Sequence, residues 1–316
     1  MKDRGTGGRA VADVERVMAH PSLIRLARVL HAEDLPEALA LCALDPVAAV
    51  LASARLEIAQ REGLAAAGGQ VWGWPTVGPL RALCWAGANL VPVVPSAHAA
   101  DAAEALDAFA RTARGQGRRS SSIVGESDAA LALWRGLERH WPPAREIRAH
   151  QPSLAIARDP DVDPDPRVRL SRPEEVGLVL PACIAMFTEE VGYSPVAGGA
   201  TAYRDRVRSL VSGGRSYVRF GVAADDPYAR ADPVVEFKAE LGAVAQGVAQ
   251  VQGVWVAPEV RGRGLSESGM AALVVDARRR VAPIVSLYVN GYNTPAVRAY
   301  RRVGFEQVGT FATVLF

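Results

Sequence analysis

Val254-Trp255-Val256-Ala257-Pro258-Glu259-Val260-Arg261-Gly262-Arg263-Gly264-Leu265-Ser266 is the stretch on which the reading of this chain turns. Val254 to Val256 is apolar and β-favouring, and Pro258 ends a strand there because it has no N–H to give to a ladder. Gly262 and Gly264 leave the backbone free to curl. From Leu265 onward, the spacing of Leu265, Met270, Leu273 and Val274 predicts a helix with an apolar face. A curled loop entering a helix N-terminus aims several free N–H groups at one point, beside the positive end of the helix dipole. Such a site suits an anion, and a pyrophosphate in particular. Arg261 and Arg263 add positive charge next to it.

Other phosphate-binding loops match less well. A Walker loop ends in Gly-Lys-Ser/Thr, and this loop has no Lys. A dinucleotide fingerprint needs a third glycine and a place after the first strand of a βαβ unit; Gly262 to Glu267 has neither. The bland account is a glycine-rich turn at a helix start.

Downstream, Ile284-Val285-Ser286-Leu287-Tyr288-Val289 reads as a strand, followed by Asn290 to Phe305. Together the two stretches resemble the GNAT acyltransferase family. Arg261 to Ser266 is similar to its Arg/Gln-x-x-Gly-x-Gly/Ala motif, with Ser266 where Gly or Ala is usual. Asn293, Ala296, Tyr300, Gly304 and Phe305 are similar to its Asn-x-x-Ala-x-x-x-Tyr-x-x-x-Gly-Phe signature. The resemblance covers roughly residues 170–316.

The resemblance implies a mixed-sheet α/β (α+β) fold and direct attack of an amine on the thioester of acetyl-CoA. It implies that Arg261, Gly262, Arg263, Gly264, Leu265 and Ser266 hold the pyrophosphate. The backbone of Val254, Trp255 and Val256 would pair with the pantetheine amides, and Asn293 would bond the pantetheine arm. Tyr300 would protonate the departing thiolate. A phenol titrates near 10 in water and a thiol near 8.5, so the phenol is protonated when the thiolate forms. The competing reading of Tyr300 is plain packing on the apolar face of a short helix, Pro295 to Val303.

The family often carries a Glu on the strand before the loop, and here Gln250 stands at that position. A Gln amide cannot take a proton at neutral pH; it can only hold a water. Glu240 is the leading alternative base, ahead of Glu236, Glu189 and Glu190, and a water relay to bulk solvent is an equal rival. Glu236, Lys238 and Glu240 share one strand face, which also reads as a solvated face. Phe187, Glu189, Glu190 and Tyr193 lie where family members shape the acceptor pocket, and adjacent acids with aromatics suit a cationic amine. A helix end with solvated acids is the bland reading.

Over the whole chain, 316 residues suit two domains, and 49% hydrophobic residues permit a sizeable core. The net charge of +2 exerts no general pull on nucleic acid or anionic lipid. Only Lys2 and Lys238 among the 36 basic residues are lysines, and the arginines are scattered among acids. No apolar run is long enough to span a bilayer, and Met1 to Ala10 lacks the apolar core of a leader, so a frayed start is expected. Cys42, Cys84 and Cys183 are far apart, which suits reduced thiols in a cytoplasm. His20, His31, His98, His140 and His150 show no metal spacing, so no metal is expected. Ser121-Ser122 and Cys183 lack the partners of a nucleophile.

Residues 11–62 read as helical, with Asp45 as N-cap, Pro46 first in its helix, and Val47, Val50, Leu51, Ala54 and Ile58 as its apolar stripe. Gln70–Trp74, Leu80–Trp85 and Leu90–Val94 read as a β-meander. Helix 97–113, strand 121–124, helix 127–140 and strand 146–157 follow. Residues 171–316 repeat that order: helices 173–191 and 201–211, strands 216–223, 234–244 and 248–256, then helix, strand, helix and a final strand 307–316. A repeat at domain scale is therefore expected, with 1–157 a degenerate GNAT-like copy. In place of a glycine loop it has Pro95-Ser96-Ala97-His98 after Val94. Arg158 to Pro166 holds three Pro and four Asp in nine residues and reads as a linker, the whole connection being 158–170 before the second domain at 171–316. This arrangement is similar to an actinobacterial group of two-domain GNAT proteins.

The expected function is acetyl-CoA-dependent transfer of an acyl group to an amine of a small molecule or peptide. Two alternatives are a tandem aminoacyl or peptidyl transferase and a non-catalytic acyl-CoA-binding sensor. The oligomeric state stays open.

Overall fold

The computed structural model describes residues 26–221 and 233–316. The frayed start at 1–10, the helical pattern over 11–25, Lys2, His20 and the last two residues of strand 216–223 lie outside the described residues.

The chain divides into two compact units, Met1–Ala149 with Phe311–Phe316, and His150–Thr310. That division departs from a cut between 157 and 171. The strand next to the Asp/Pro segment belongs largely to the second unit, and the last six residues belong to the first.

In the first unit β1 (Arg28–Val29) precedes helices α1 (Leu35–Cys42), α2 (Pro46–Glu62) and α3 (Leu64–Ala67). Strands β2 (Gln70–Trp74), β3 (Ala82–Ala86) and β4 (Asn89–Val93) form the meander, and α4 (Ala102–Gln116), β5 (Ser122–Glu126) and α5 (Ser127–Leu137) follow. Strands β1 to β4 pair antiparallel in sequence order, and β5 joins β4 in parallel. The sixth strand comes from the far end of the sequence: Phe311 to Leu315 run antiparallel to β5, from Phe311↔Glu126 to Leu315↔Ser122. Ala312 and Val314 thereby enter the core beside Trp72, Phe109, Ile123, Leu133 and Trp134.

Two expectations for this unit change. Residues 28–29 form a strand edge rather than a helix. The face that α2 buries is Ala49, Val50, Ala52, Ser53, Leu56 and Ala59, so of the expected stripe only Val50 is buried. Small side chains seat innermost and let the helix lie close, the Ser53 hydroxyl being satisfied by the Ala49 carbonyl at 3.1 Å. The larger Val47, Leu51 and Ile58 are half-buried at the margins.

The second unit takes β6 (Glu146–Ile156) from His150 onward, then β7 (Arg169–Leu170), α6 (Val176–Val191), α7 (Thr201–Ser212), β8 (Ser216–Gly221), β9 (Val234–Ala245), β10 (Val248–Val256), α8 (Leu265–Arg280), β11 (Ile284–Tyr288), α9 (Thr294–Val303) and the start of β12 (Glu306–Leu315). Strands β7 to β10 pair antiparallel, β11 joins β10 in parallel, and β6 lies antiparallel to β11. Strand order and sense match those of the first unit. Alternation along the strands feeds two layers. Phe237, Ala239, Leu241, Ala249 and Val251 pack with Met270, Leu273 and Val274 of α8, and Val218 and Val235 pack with α6 and α7 on the other face.

The Asp/Pro segment is strapped to the second unit rather than free. The Asp161 N–H bonds the Val303 carbonyl at 2.9 Å and the Asp165 N–H bonds that of Ser268 at 3.0 Å. The Asp165 carboxylate lies 2.8 Å from Nε of the buried Arg219. Prolines keep the segment out of a ladder, and the Asp161 and Asp165 N–H groups and the Asp165 carboxylate find partners on the second unit instead. No helix among the described residues is long and apolar enough to cross a membrane.

Candidate active site

Strands β10 and β11 pair only from Val248↔Ile284 to Gln250↔Ser286. Beyond that point they part, while β10 continues against β9 to Val256↔Phe237 with a bulge between Gln252 and Trp255. Gly253 sits in the bulge at φ +57°, a conformation that favours glycine. The parting opens a cavity of about 280 Å³. Val251 to Trp255 form one wall and Leu287 to Asn290 the other; Tyr300 comes from α9, Met186, Glu189 and Glu190 from α6, and Gln151 from β6. The β10 edge facing the gap has lost its ladder and can receive an extended chain carrying amides.

Past Val256, one 3₁₀ turn at Pro258–Val260 leads into the loop. Gly262 and Gly264 take φ +77° and +78°, the left-handed region. The Gly264 carbonyl accepts the N–H groups of Glu267 at 3.0 Å and Ser268 at 3.2 Å. The N–H groups of Gly264, Leu265 and Ser266 have no acceptor among the described residues and open on the N-terminus of the sixteen-residue α8. This geometry fits a pyrophosphate.

Arg261 is placed differently from the expectation that it adds charge to the anion site. Its Nε donates to the Val256 carbonyl at 3.0 Å and its Nη2 to Glu189 at 2.7 Å, so it is turned back against the strand end. Among the described residues Arg263 makes only a long contact, to the Glu259 carbonyl at 3.5 Å.

Tyr300 is buried, lines the cavity, and its hydroxyl makes no hydrogen bond among the described residues. Burial pushes the phenol well above its ordinary range, and the Glu190 carboxylate adds to that shift. Asn293, also in the cavity wall, caps α9 by accepting the Ala296 N–H at 3.2 Å, which leaves its side-chain N–H₂ to donate.

Glu240 and Lys238 overturn the solvated-face reading. Both are buried, and the Lys238 ammonium donates to the Glu240 carboxylate. The Cys183 thiol lies 3.4 Å from the same oxygen and is pushed up to about 12, chiefly by burial. Strand alternation turns this face inward because α6 covers it. Glu236 is held by the buried Arg219. Neither carboxylate forms part of the cavity wall.

Gln250 is buried and accepts from Nε2 of Gln252 at 3.2 Å; it is Gln252 that reaches the cavity. Phe187 and Tyr193 stack edge to face at 5.6 Å, with Tyr203 at 5.7 Å from Phe187, and brace the end of α6 outside the cavity wall. Of the expected acceptor residues, Glu189 and Glu190 line the cavity.

Gln252, Gln151, Asn290 and Tyr292 escape a sequence reading. A Gly inside an apolar strand signals a bulge, and Gly253 could have pointed to Gln252 beside it. Gln151 reaches Asn290 at 2.9 Å from 139 positions away, and no local pattern announces that. Among the described residues no group of three or more His, Cys, Asp or Glu is arranged to hold a metal ion.

A parallel pair that parts beside a glycine loop and helix N-terminus, inside this strand order, is a GNAT-type fold. Residues 196–305 match the acetyltransferase (GNAT) family, and residues 69–179 match a domain of unknown function (DUF4081). Over 63 residues the chain is 41% identical to the mycothiol acetyltransferase of Saccharomonospora viridis, a match spanning 20% of this chain and 21% of that protein's length. The GCN5-related N-acetyltransferase of Sphaerobacter thermophilus is similar in fold, with a TM-score of 0.53 at 18% identity over 92% of this chain and 95% of that one. A tandem GNAT protein from the clavulanic acid biosynthesis pathway is similar at a TM-score of 0.53 and 14% identity, over 91% of this chain and 97% of that one.

Proposed function

We propose that the chain is an acetyl-CoA-dependent N-acyltransferase whose chemistry lies in the second unit. The observation that carries this reading is the cavity between β10 and β11, with free helix N–H groups beyond its strand end and a buried, protonated tyrosine in its wall. When bound, acetyl-CoA supplies the thioester that an amine attacks. The N–H groups of Gly264, Leu265 and Ser266, with the Arg263 charge, hold the pyrophosphate. The unpaired edge of Val254 to Val256 receives the pantetheine amides, and the Asn293 N–H₂ adds one donor. Tyr300 holds a proton at its phenolic oxygen for the leaving sulfur. The walls hold the two reactants together and exclude water.

The acceptor is an amine of a small molecule or peptide, entering beside Glu190 and Tyr292. Glu240, buried against Lys238, does not line the cavity and so does not meet it. The three buried thiols, all free, suit a reducing compartment.

The first unit is a degenerate copy. Where a pyrophosphate would lie, at the turn leading into α4, the Asp45 carboxylate already accepts from Ser96 N at 2.6 Å and Ser96 Oγ at 3.3 Å. Its β4/β5 gap is tight: a Cβ on Gly125 would stand 3.3 Å from the Pro92 carbonyl oxygen.

Thermal stability with acetyl-CoA and CoA tests the proposal, since a ligand of the native state alone raises the melting point above its Kd. The wild type should shift, and Gly264→Val, which places a β-branched residue at φ +78°, should not. No shift in the wild type would remove the cofactor and the enzymatic reading with it. Release of free thiol on adding amines then separates an enzyme from a sensor.

A further inference from the structure

Glu189 and Glu190 stand side by side in the last turn of α6, where the negative end of the helix dipole disfavours acids. Their surroundings differ. One Glu189 oxygen accepts from Trp255 Nε1 at 3.1 Å, and the other from Arg261 Nη2 at 2.7 Å. Arg261 in turn donates through Nε to the Val256 carbonyl at 3.0 Å. Both Glu189 oxygens are thus committed, one to the end of the parted strand and one to the first residue of the glycine loop. A carboxylate with one oxygen on an indole N–H and the other on a guanidinium has its charge already matched and its orientation fixed toward the strand and the loop.

We propose that Glu189 is a positioning residue for the cofactor loop rather than a contact for the acceptor. It acts through Trp255 and Arg261, and fixes the strand edge and the loop in one register. The proposal rests on the CoA-binding reading above. Arg261 and Glu189 are about half exposed, and as a bare ion pair they contribute little to stability. The effect lies in the order they impose on a loop whose two left-handed glycines leave it free to move.

The test uses the full chain as wild type, Glu189→Gln, Arg261→Gln and the double variant. CoA affinity is measured by calorimetry, and amide hydrogen exchange over residues 257–266 is measured without ligand. Each single variant should weaken CoA about threefold to tenfold, and the double no more than the weaker single, because both remove one linkage. Loop exchange should quicken in Glu189→Gln, Glu189→Asp should restore part of the affinity, and the KM of the amine should stay put. Unchanged CoA affinity and loop exchange in Glu189→Gln, or a rise confined to the amine KM, would overturn the proposal. A wild type that binds no CoA would instead sink the cofactor reading, and loop exchange alone would then decide whether Glu189 orders the loop.

Discussion

Lys238 and Glu240 lie two residues apart on β9 and form a buried ion pair directly behind the bulge at Gly253. A Cβ on Gly253 would stand 3.2 Å from the Lys238 Nζ and 3.4 Å from Oε2 of Glu240. Burial works against the Lys238 charge, but Glu240 and Cys183 outweigh it, so the ammonium titrates above its ordinary range. Lys238→Met should cost ~3–5 kcal/mol by leaving a buried carboxylate alone, while Lys238→Met with Glu240→Leu should recover most of that. Urea denaturation measures both. A raised folded pKa means the Lys238 contribution is fully present below the unfolded lysine value of about 10.4 and is lost only as pH rises through the folded one.

Tyr300→Phe should lower kcat by about 10²-fold and leave the CoA Kd within about twofold, as read by single-turnover kinetics and calorimetry. Because burial raises the phenol, the donor stays protonated through neutral and mildly alkaline pH. The wild-type rate should show no alkaline fall assignable to Tyr300 below about pH 10. A variant with wild-type kcat would reduce Tyr300 to packing.

Gly253→Val combines a φ of +57° with a Cβ 3.0 Å from Met186 Cε. A loss of about 1–3 kcal/mol is expected, together with weaker CoA binding as the wall crowds the cavity. Binding that stays at the wild-type level would mean the bulge does not shape the cofactor channel.

Asp45→Ala should destabilise the protein by ~1 kcal/mol through loss of the Ser96 contacts. Calorimetry should still give one CoA per chain for both forms. Two sites in the wild type would show the first unit to be a working copy.

Most elements of both units were legible because short apolar runs between glycines and prolines leave little choice of secondary structure; the two-residue edge strands at Arg28–Val29 and Arg169–Leu170 are too short to show a pattern. The loop and Tyr300 were legible as a spaced motif. Strand faces were not: Lys238 and Glu240 alternate as an exposed face would, and only α6 lying over them turns that face into an interior. Charge partners were hidden for a related reason. Arg261 and Glu189 are 72 positions apart, and nothing local says that the guanidinium turns back instead of facing an anion. The Asp/Pro segment misled because composition shows that it cannot make a ladder, not that Val303, Ser268 and Arg219 will hold it.

The placement of residues 311–316 in the first unit and of most of β6 in the second bears on synthesis. A ribosome that has made only residues 1–157 has made a first sheet without its outer strand, and β5 presents an open edge to any other chain. That edge stays open until the last strand is translated. Fragments cut in the Asp/Pro segment should therefore aggregate rather than fold as halves, and folding should be slow for the size of either unit, because its closing contacts join distant parts of the chain.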